Sequence, residues 1–263
     1  MIVDSHCHAS DRWYEPAETL LFRMDACGVG RAVLIQMLGA LDNTEIAGLG
    51  RRHRDRFAWV GALAPRDTGA VETLQRMADA GMAGIRLRPG ARSPGADPLA
   101  LWRSAQAAGL AVSCVGRATD FAGEDFAEVL AAVPNLAIVL EHLGGLARPD
   151  VGDRTAALPG LLALAAHPNL SLKVPGLGQL APRKPSLDEP GCPLDLAGVR
   201  ELLEAVVAAF GAGRLMWGSD FPPVAAREGY ANSLRWTRDL LAAAGADVGA
   251  IFGGSAARTF WCA

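Results

Sequence analysis

Met1-Ile2-Val3-Asp4-Ser5-His6-Cys7-His8 opens the chain, a short apolar run that turns polar and ends on a His-x-His pair. The pattern is that of a buried strand with a chemically active C-terminal end. Side chains on a strand alternate with period two, so His6 and His8 project from one face. Two imidazoles side by side at a strand end more often share an ion or a substrate oxygen than serve as separate core residues.

Working outward, seven further apolar, β-branched runs follow: Arg31 to Leu38, Phe57 to Ala64, Ala83 to Leu87, Leu110 to Val115, Leu136 to His142, Leu170 to Val174 and Arg214 to Asp220. Their near-continuous apolar character predicts parallel strands buried on both faces. Between them lie helical stripes, the clearest being Val199, Leu202, Leu203, Val206, Val207 and Phe210. No Gly-x-Gly-x-x-Gly or phosphate-binding loop follows the first strand. Eight strands alternating with helices therefore predict an α/β fold of the (β/α)8 TIM-barrel type rather than a doubly wound sheet. At 263 residues the chain matches one such barrel, which needs about 250 residues, so residues 1–263 are read as a single domain.

Composition narrows the function. A net charge of -3 and the absence of a basic stripe argue against nucleic acid. No run approaches the roughly 18 apolar residues of a membrane span. Five cysteines without a Cys-x-x-Cys pair exclude a disulfide framework or a zinc knuckle and fit a cytoplasmic protein. The expected partner is a small-molecule substrate, and a homo-oligomer is left open. One connection is unusual: residues 175–193, rich in Pro and Gly, form a long loop after the seventh strand, read either as a lid over the site or as a surface insertion.

In a barrel, polar residues at strand C-termini converge on one mouth. Here these are His6 and His8, Arg86 and Arg88, Glu141 and His142, Lys173, and Asp220. Strands one and eight are neighbours in a closed barrel, which puts Asp220 beside the two histidines. Two imidazoles and a carboxylate suit one divalent ion, zinc before others. Trp13 and Tyr14, in the loop after the first strand, are candidate walls of the pocket. By alternation Cys7 and Glu141 are expected to face the helices.

The ordered set Asp4-Ser5-His6-Cys7-His8, Gly84-Ile85-Arg86-Leu87, Glu141-His142-Leu143-Gly144-Gly145, His167-Pro168-Asn169-Leu170-Ser171-Leu172-Lys173 and Arg214-Leu215-Met216-Trp217-Gly218-Ser219-Asp220-Phe221-Pro222 resembles the amidohydrolase-related (amidohydrolase 2) metal-dependent hydrolases. The likeness covers nearly the whole chain and is nearest to the fuconolactonase and pyrone-dicarboxylate lactonase branch. The resemblance implies a distorted barrel with His6, His8, His142 and Asp220 at its mouth, and in members that hold a metal, ligation by the first-strand histidines, a fifth-strand histidine and Asp220. The fifth strand here, Leu110-Ala111-Val112-Ser113-Cys114-Val115, has no histidine. That leaves His6, His8 and Asp220 as ligands, with His142 nearby. Cys114 is read as a small buried residue, with thiolate ligation as the alternative.

These readings predict a hydrolase acting on a small anionic lactone or related carbonyl. Asp220 is the expected base for water, His142 the group that polarises the carbonyl or acts as acid, and Arg86 a catalytic cation. Arg88 and Lys173 are expected to anchor the substrate. Metal-free acid–base catalysis is the alternative to a divalent ion. Two other readings stand beside this one: a metal-assisted decarboxylase or lyase on the same fold, and a barrel that binds a metabolite without catalysis.

Overall fold

The computed structural model describes residues 1–185 and 192–261. Its strands are β1 (Ile2–Cys7), β2 (Val29–Ile35), β3 (Phe57–Gly61), β4 (Gly84–Leu87), β5 (Ala111–Cys114), β6 (Ile138–Leu140), β7 (Leu170–Pro175) and β8 (Leu215–Gly218). The helices are α1 (Ala17–Cys27), α2 (Thr44–Arg52), α3 (Ala70–Asp79), α4 (Ala100–Ala107), α5 (Ala118–Phe121), α6 (Glu124–Ala132), α7 (Arg154–Ala163), α8 (Val199–Phe210), α9 (Tyr230–Ala243) and α10 (Ser255–Trp261). The strands pair in parallel in the order β1 to β8. The ring closes where Asp220 N donates to His6 O at 2.8 Å and His8 N to Phe221 O at 2.8 Å. This is the (β/α)8 barrel that the sequence predicts.

Two apolar layers hold it together. Val3, Val33, Ile35, Val60, Ala111, Val139 and Met216 point inward and fill the barrel, and Ala256 and Phe260 of α10 pack on them. The alternate residues, such as Ile85, Leu87, Val112, Cys114, Leu172 and Trp217, face outward against the helices. On α8 the stripe Val199, Leu202, Leu203, Val206 and Phe210 is buried, as its spacing requires. Gly218 has a specific reason: a Cβ there would lie 2.7 Å from His6 Cβ, so a side chain would push β8 away from β1.

The strands end earlier than the apolar runs suggest, because their polar C-terminal residues leave the ladder to form the mouth. In β1 the pairing register shifts between Asp4 and Cys7. Such a bulge changes which residues face in. Val3 points into the barrel and Cys7 out toward the helices, yet His6 and His8 both reach the mouth. Asp4 faces outward and accepts from Ser219 N (2.9 Å), Ser219 Oγ (2.6 Å) and Tyr230 OH (3.0 Å), tying β1 to β8 and α9.

Of the 175–193 loop, Leu177–Gln179 forms a 3-10 turn and Arg183 bridges Leu194 antiparallel. Residues 186–191 and Cys262 lie outside the described residues. No helix among those described is long and apolar enough to cross a membrane.

Candidate active site

Above the apolar barrel interior lies a layer of charged and polar side chains, each supplied by the inward parity of its strand. Glu141 is fully buried and receives both prongs of Arg86, Nε to Oε1 at 3.0 Å and Nη2 to Oε2 at 2.6 Å. Ser113 Oγ donates to Glu141 Oε1 at 2.7 Å, and Lys173 Nζ donates to Ser113 Oγ at 2.7 Å. The same ammonium lies 3.0 Å from His6 Nδ1. Burial raises the Glu141 carboxyl, but the fields of Arg86 and Lys173 and the Arg86 hydrogen bonds overcome it and hold Glu141 ionised. Burial pushes Lys173 down to about 8, against the opposing pull of Glu141.

This corrects the expected orientation of Glu141. β6 stops at Leu140, and Val139 is its inward residue, so alternation carries Glu141 inward. His142 then reaches the mouth only because the chain turns into the left-handed region there, with φ 51°. Arg86 faces the mouth as predicted, although Glu141 takes two of its donors and Gln36 O a third, at 3.1 Å. Lys173 sits beneath His6 at 2% exposure rather than at the open rim.

On this floor stands the candidate cluster of His6, His8, His142 and Asp220. His6 Nε2 and His8 Nε2 each lie 3.7 Å from Asp220 Oδ1. His8 Nδ1 is 2.7 Å from Ile35 O; a carbonyl can only accept, so Nδ1 carries the proton and Nε2 keeps its lone pair. Two lone-pair-bearing atoms thus face each other across 3.7 Å, and His6 Nε2 is buried with no hydrogen-bond partner among the described residues. A cation between His8 Nε2 and Asp220 Oδ1 would satisfy both, and His6 Nε2 joins them as a ligand when its ring proton sits on Nδ1 against a Lys173 amine that has given up its own proton; on those terms the donor set fits one divalent ion. Tyr14 stacks on His8, rings 5.1 Å apart at 22°, and shields it from above.

The other carboxylate oxygen is held. Gln179 Nε2 donates to Asp220 Oδ2 at 2.6 Å, and Arg227 Nη1 and Nη2 lie 3.3 and 3.4 Å from it. Because the Gln179 amide turns its NH2 to a carboxylate, its Oε1 faces His142 Nδ1 at 3.1 Å and must accept from it. The His142 proton is thereby fixed on Nδ1, leaving Nε2 as an acceptor. Burial lowers His142, outweighing Asp220 and Glu141, and lowers His6 further with help from Lys173. For Asp220 burial acts upward, but His8, His142 and Arg227 hold it below the usual carboxylate range. Asp220, like His142, has a left-handed backbone, with φ 59°, the kind of strain that accumulates at working sites.

The remaining candidates separate. Arg88 is exposed, and its guanidinium makes no hydrogen bond or ion pair with any described residue. Trp13 does not wall the large cavity at the mouth: it is 71% exposed and lines a neighbouring cleft with Ser10 and Glu45. Cys114 faces the helices in the apolar layer, where burial raises its thiol far above the usual range, and Ser113 takes the inward place on β5. Gln179 and Arg227 are the residues that sequence reasoning missed, both on connections after strands.

Comparison with known proteins gives the family and supports the fold. The profile of the Amidohydrolase family matches residues 3–261. An L-fucono-1,5-lactonase of Burkholderia multivorans is 37% identical over 131 residues, 47% of this chain and 42% of that protein, so the match spans less than half of the curated relative. A Pseudomonas putida structure, named provisionally a 2-pyrone-4,6-dicarboxylic acid hydrolase, superposes with a TM-score of 0.73 at 25% identity, covering 98% of this chain and 97% of that one. A zinc-bound amidohydrolase structure from Burkholderia multivorans gives a TM-score of 0.76 at 23% identity over 99% of both chains.

Proposed function

Since the chain belongs to the Amidohydrolase family, we propose that it hydrolyses a small anionic lactone or related carbonyl, with Asp220 as base for water and His142 as the acid for the departing oxygen. The observation that carries this reading is the convergence of His6 Nε2 and His8 Nε2 on Asp220 Oδ1 at the barrel mouth, each 3.7 Å from it, with His6 Nε2 orphaned. His6, His8 and Asp220 would hold a single divalent ion, zinc before others, and the chemistry supplied there when bound would be positive charge that acidifies water and polarises a carbonyl.

The protein's own groups then divide the work. Asp220 is ionised and pinned through Oδ2, so the proton of attacking water goes to Oδ1, whose second lone pair stays open beside an ion held there. As the ring carbon–oxygen bond breaks, His142 Nε2 takes the proton of the adduct hydroxyl and returns it to the departing oxygen. The products are a carboxylate and an alcohol, and the proton held by Asp220 leaves to solvent. With Nδ1 engaged by Gln179, a neutral His142 has no proton at Nε2 for polarising the carbonyl, and it delivers to the departing oxygen only the proton it first takes from the adduct. Arg227 holds Asp220 in place, and Arg88 offers its open guanidinium to a substrate carboxylate. Ser113 in place of an inward β5 imidazole favours this hydrolysis over a decarboxylation that needs a fuller ligand shell.

The test is proton release from a panel of γ- and δ-lactones, together with elemental analysis before and after chelation. Asp220→Asn is expected to lower kcat by roughly 10²- to 10⁴-fold, and chelation to remove a stoichiometric metal together with activity. Full turnover by Asp220→Asn would overturn the assignment; activity that persists without metal would leave the acid–base roles and remove the ion.

A further inference from the structure

The mouth is wider than the catalytic cluster. Over the ends of β2 to β5 lies a cavity of about 1050 Å³, whose wall includes Leu38 and Leu41 after β2, Leu63 after β3 and Pro89 after β4, with Arg86 and Arg88 beside them. That volume is at the upper end for pockets that bury a small ligand, roughly 300–1,000 Å³. It adjoins the polar layer at Arg86. Arg86 lines the cavity while it grips Glu141, which leads through Ser113 and Lys173 to His6.

The lining has a chemical signature. A lone exposed leucine means little, but Leu41, 55% exposed, shares one space with the half-buried Leu38 of its own connection and the buried Leu63 of the next. None of the lining residues contributed after β2, β3 or β4 carries a side-chain hydroxyl or amide. A polyhydroxylated ring substituent would leave its hydroxyls unpaired on that wall, which a hydrocarbon would not. Charge adds direction. Asp120 and Glu124, on the rim after β5, repel an anion, whereas Arg88 attracts one.

We propose that this cavity is a subsite for a hydrocarbon substituent, alkyl or aryl, on a substrate whose carboxylate is held by Arg88. The proposal rests on the lactone-hydrolase reading for the carbonyl and extends it from reaction to substrate class: substituted lactone acids rather than sugar lactones. Arg88 sets the strength of anchoring, and the leucine wall sets the response to chain length.

Calorimetric titration of the purified protein with butanoate, hexanoate and octanoate tests the subsite without any turnover. Affinity should rise by about two- to fourfold per added methylene, as burial of a CH2 predicts. Arg88→Ala should weaken all three acids by a similar factor and preserve that slope. Leu41→Asp, at an exposed position whose melting temperature reports folding, should flatten it. Equal affinities, an unaltered slope in Leu41→Asp, or no binding of any acid would overturn the subsite. The kinetic arm compares δ-lactones bearing methyl to pentyl groups. Failure to hydrolyse any of them, with the acids still binding by length, would sink the lactonase reading and keep the subsite. Hydrolysis indifferent to the substituent would do the reverse.

Discussion

In the polar layer at the mouth the side chains are linked in two runs, from Arg86 and Glu141 through Ser113 and Lys173 to His6, and from His142 through Gln179 to Asp220, with His6 Nε2 left over. On the β2 to β4 side the wall is leucine and proline, and Arg88 stands without a partner among the described residues. The difference teaches where each property resides. Hydrogen bonds between buried ionised groups fix protonation and geometry on the first side, whereas the second imposes only shape and polarity on what enters.

The sharpest test of that contrast is stability. Glu141→Gln leaves Arg86 and Lys173 without their shared counter-charge, and breaking a buried pair costs about 3–5 kcal/mol. Arg88→Ala on the open side should change stability by less than about 0.5 kcal/mol, as exposed substitutions do. Denaturant unfolding of both variants measures the gap, and equal losses would erase the distinction between the two sides.

A smaller effect is expected from Gln179→Leu. The change removes both the donor to Asp220 Oδ2 and the acceptor that fixes the His142 tautomer, without touching Oδ1 or His142 Nε2. Misplacing catalytic groups by about 1 Å costs on the order of 10²-fold, so kcat should fall by roughly ten- to a hundredfold while KM moves little. The pH profile of kcat/KM should shift as well, because the partners that set His142 and Asp220 are gone. An unchanged profile with a raised KM would mark Gln179 as a substrate contact instead.

These two sides also differ in how far the sequence reveals them. The inward positions of Arg86 and Lys173 follow from strand parity, and the alternation of His6 with His8 places both at the mouth. Parity fails where backbone geometry leaves the regular strand. His142 returns through a left-handed turn, so parity counted back from it points Glu141 the wrong way, and the bulge in β1 conceals that Asp4 ties three elements together. Gln179 is illegible for another reason: it lies in the 175–193 loop, where only Gly and Pro spacing is informative, and its partners are 37 and 41 residues away in the chain. The apolar wall is equally hidden, since Leu38, Leu41 and Leu63 become a surface only when the barrel aligns their loops.

The smallest effect concerns the support behind Gln179. Glu228 is 8% exposed, its Oε1 accepts from Gly178 N at 3.2 Å, and its Oε2 is 3.5 Å from Arg227 Nε. A Cβ on either Gly176 or Gly178 would collide with this carboxylate, so the turn that carries Gln179 is moulded onto it. Burial raises the Glu228 carboxyl above its ordinary 4.5, outweighing the hydrogen bonds and the Arg227 charge that act downward. Between 4.5 and its raised folded value Glu228 binds more protons folded than unfolded, so stability declines as pH rises through that window. Glu228→Gln keeps an oxygen for the Gly178 N–H and cannot ionise. The variant should therefore melt slightly higher than the parent at pH 7 to 8, with the advantage shrinking toward pH 4.5. A lower melting temperature at pH 8 would mean that the Arg227 contact outweighs the burial of charge, and that the support of the catalytic side is itself an ion pair.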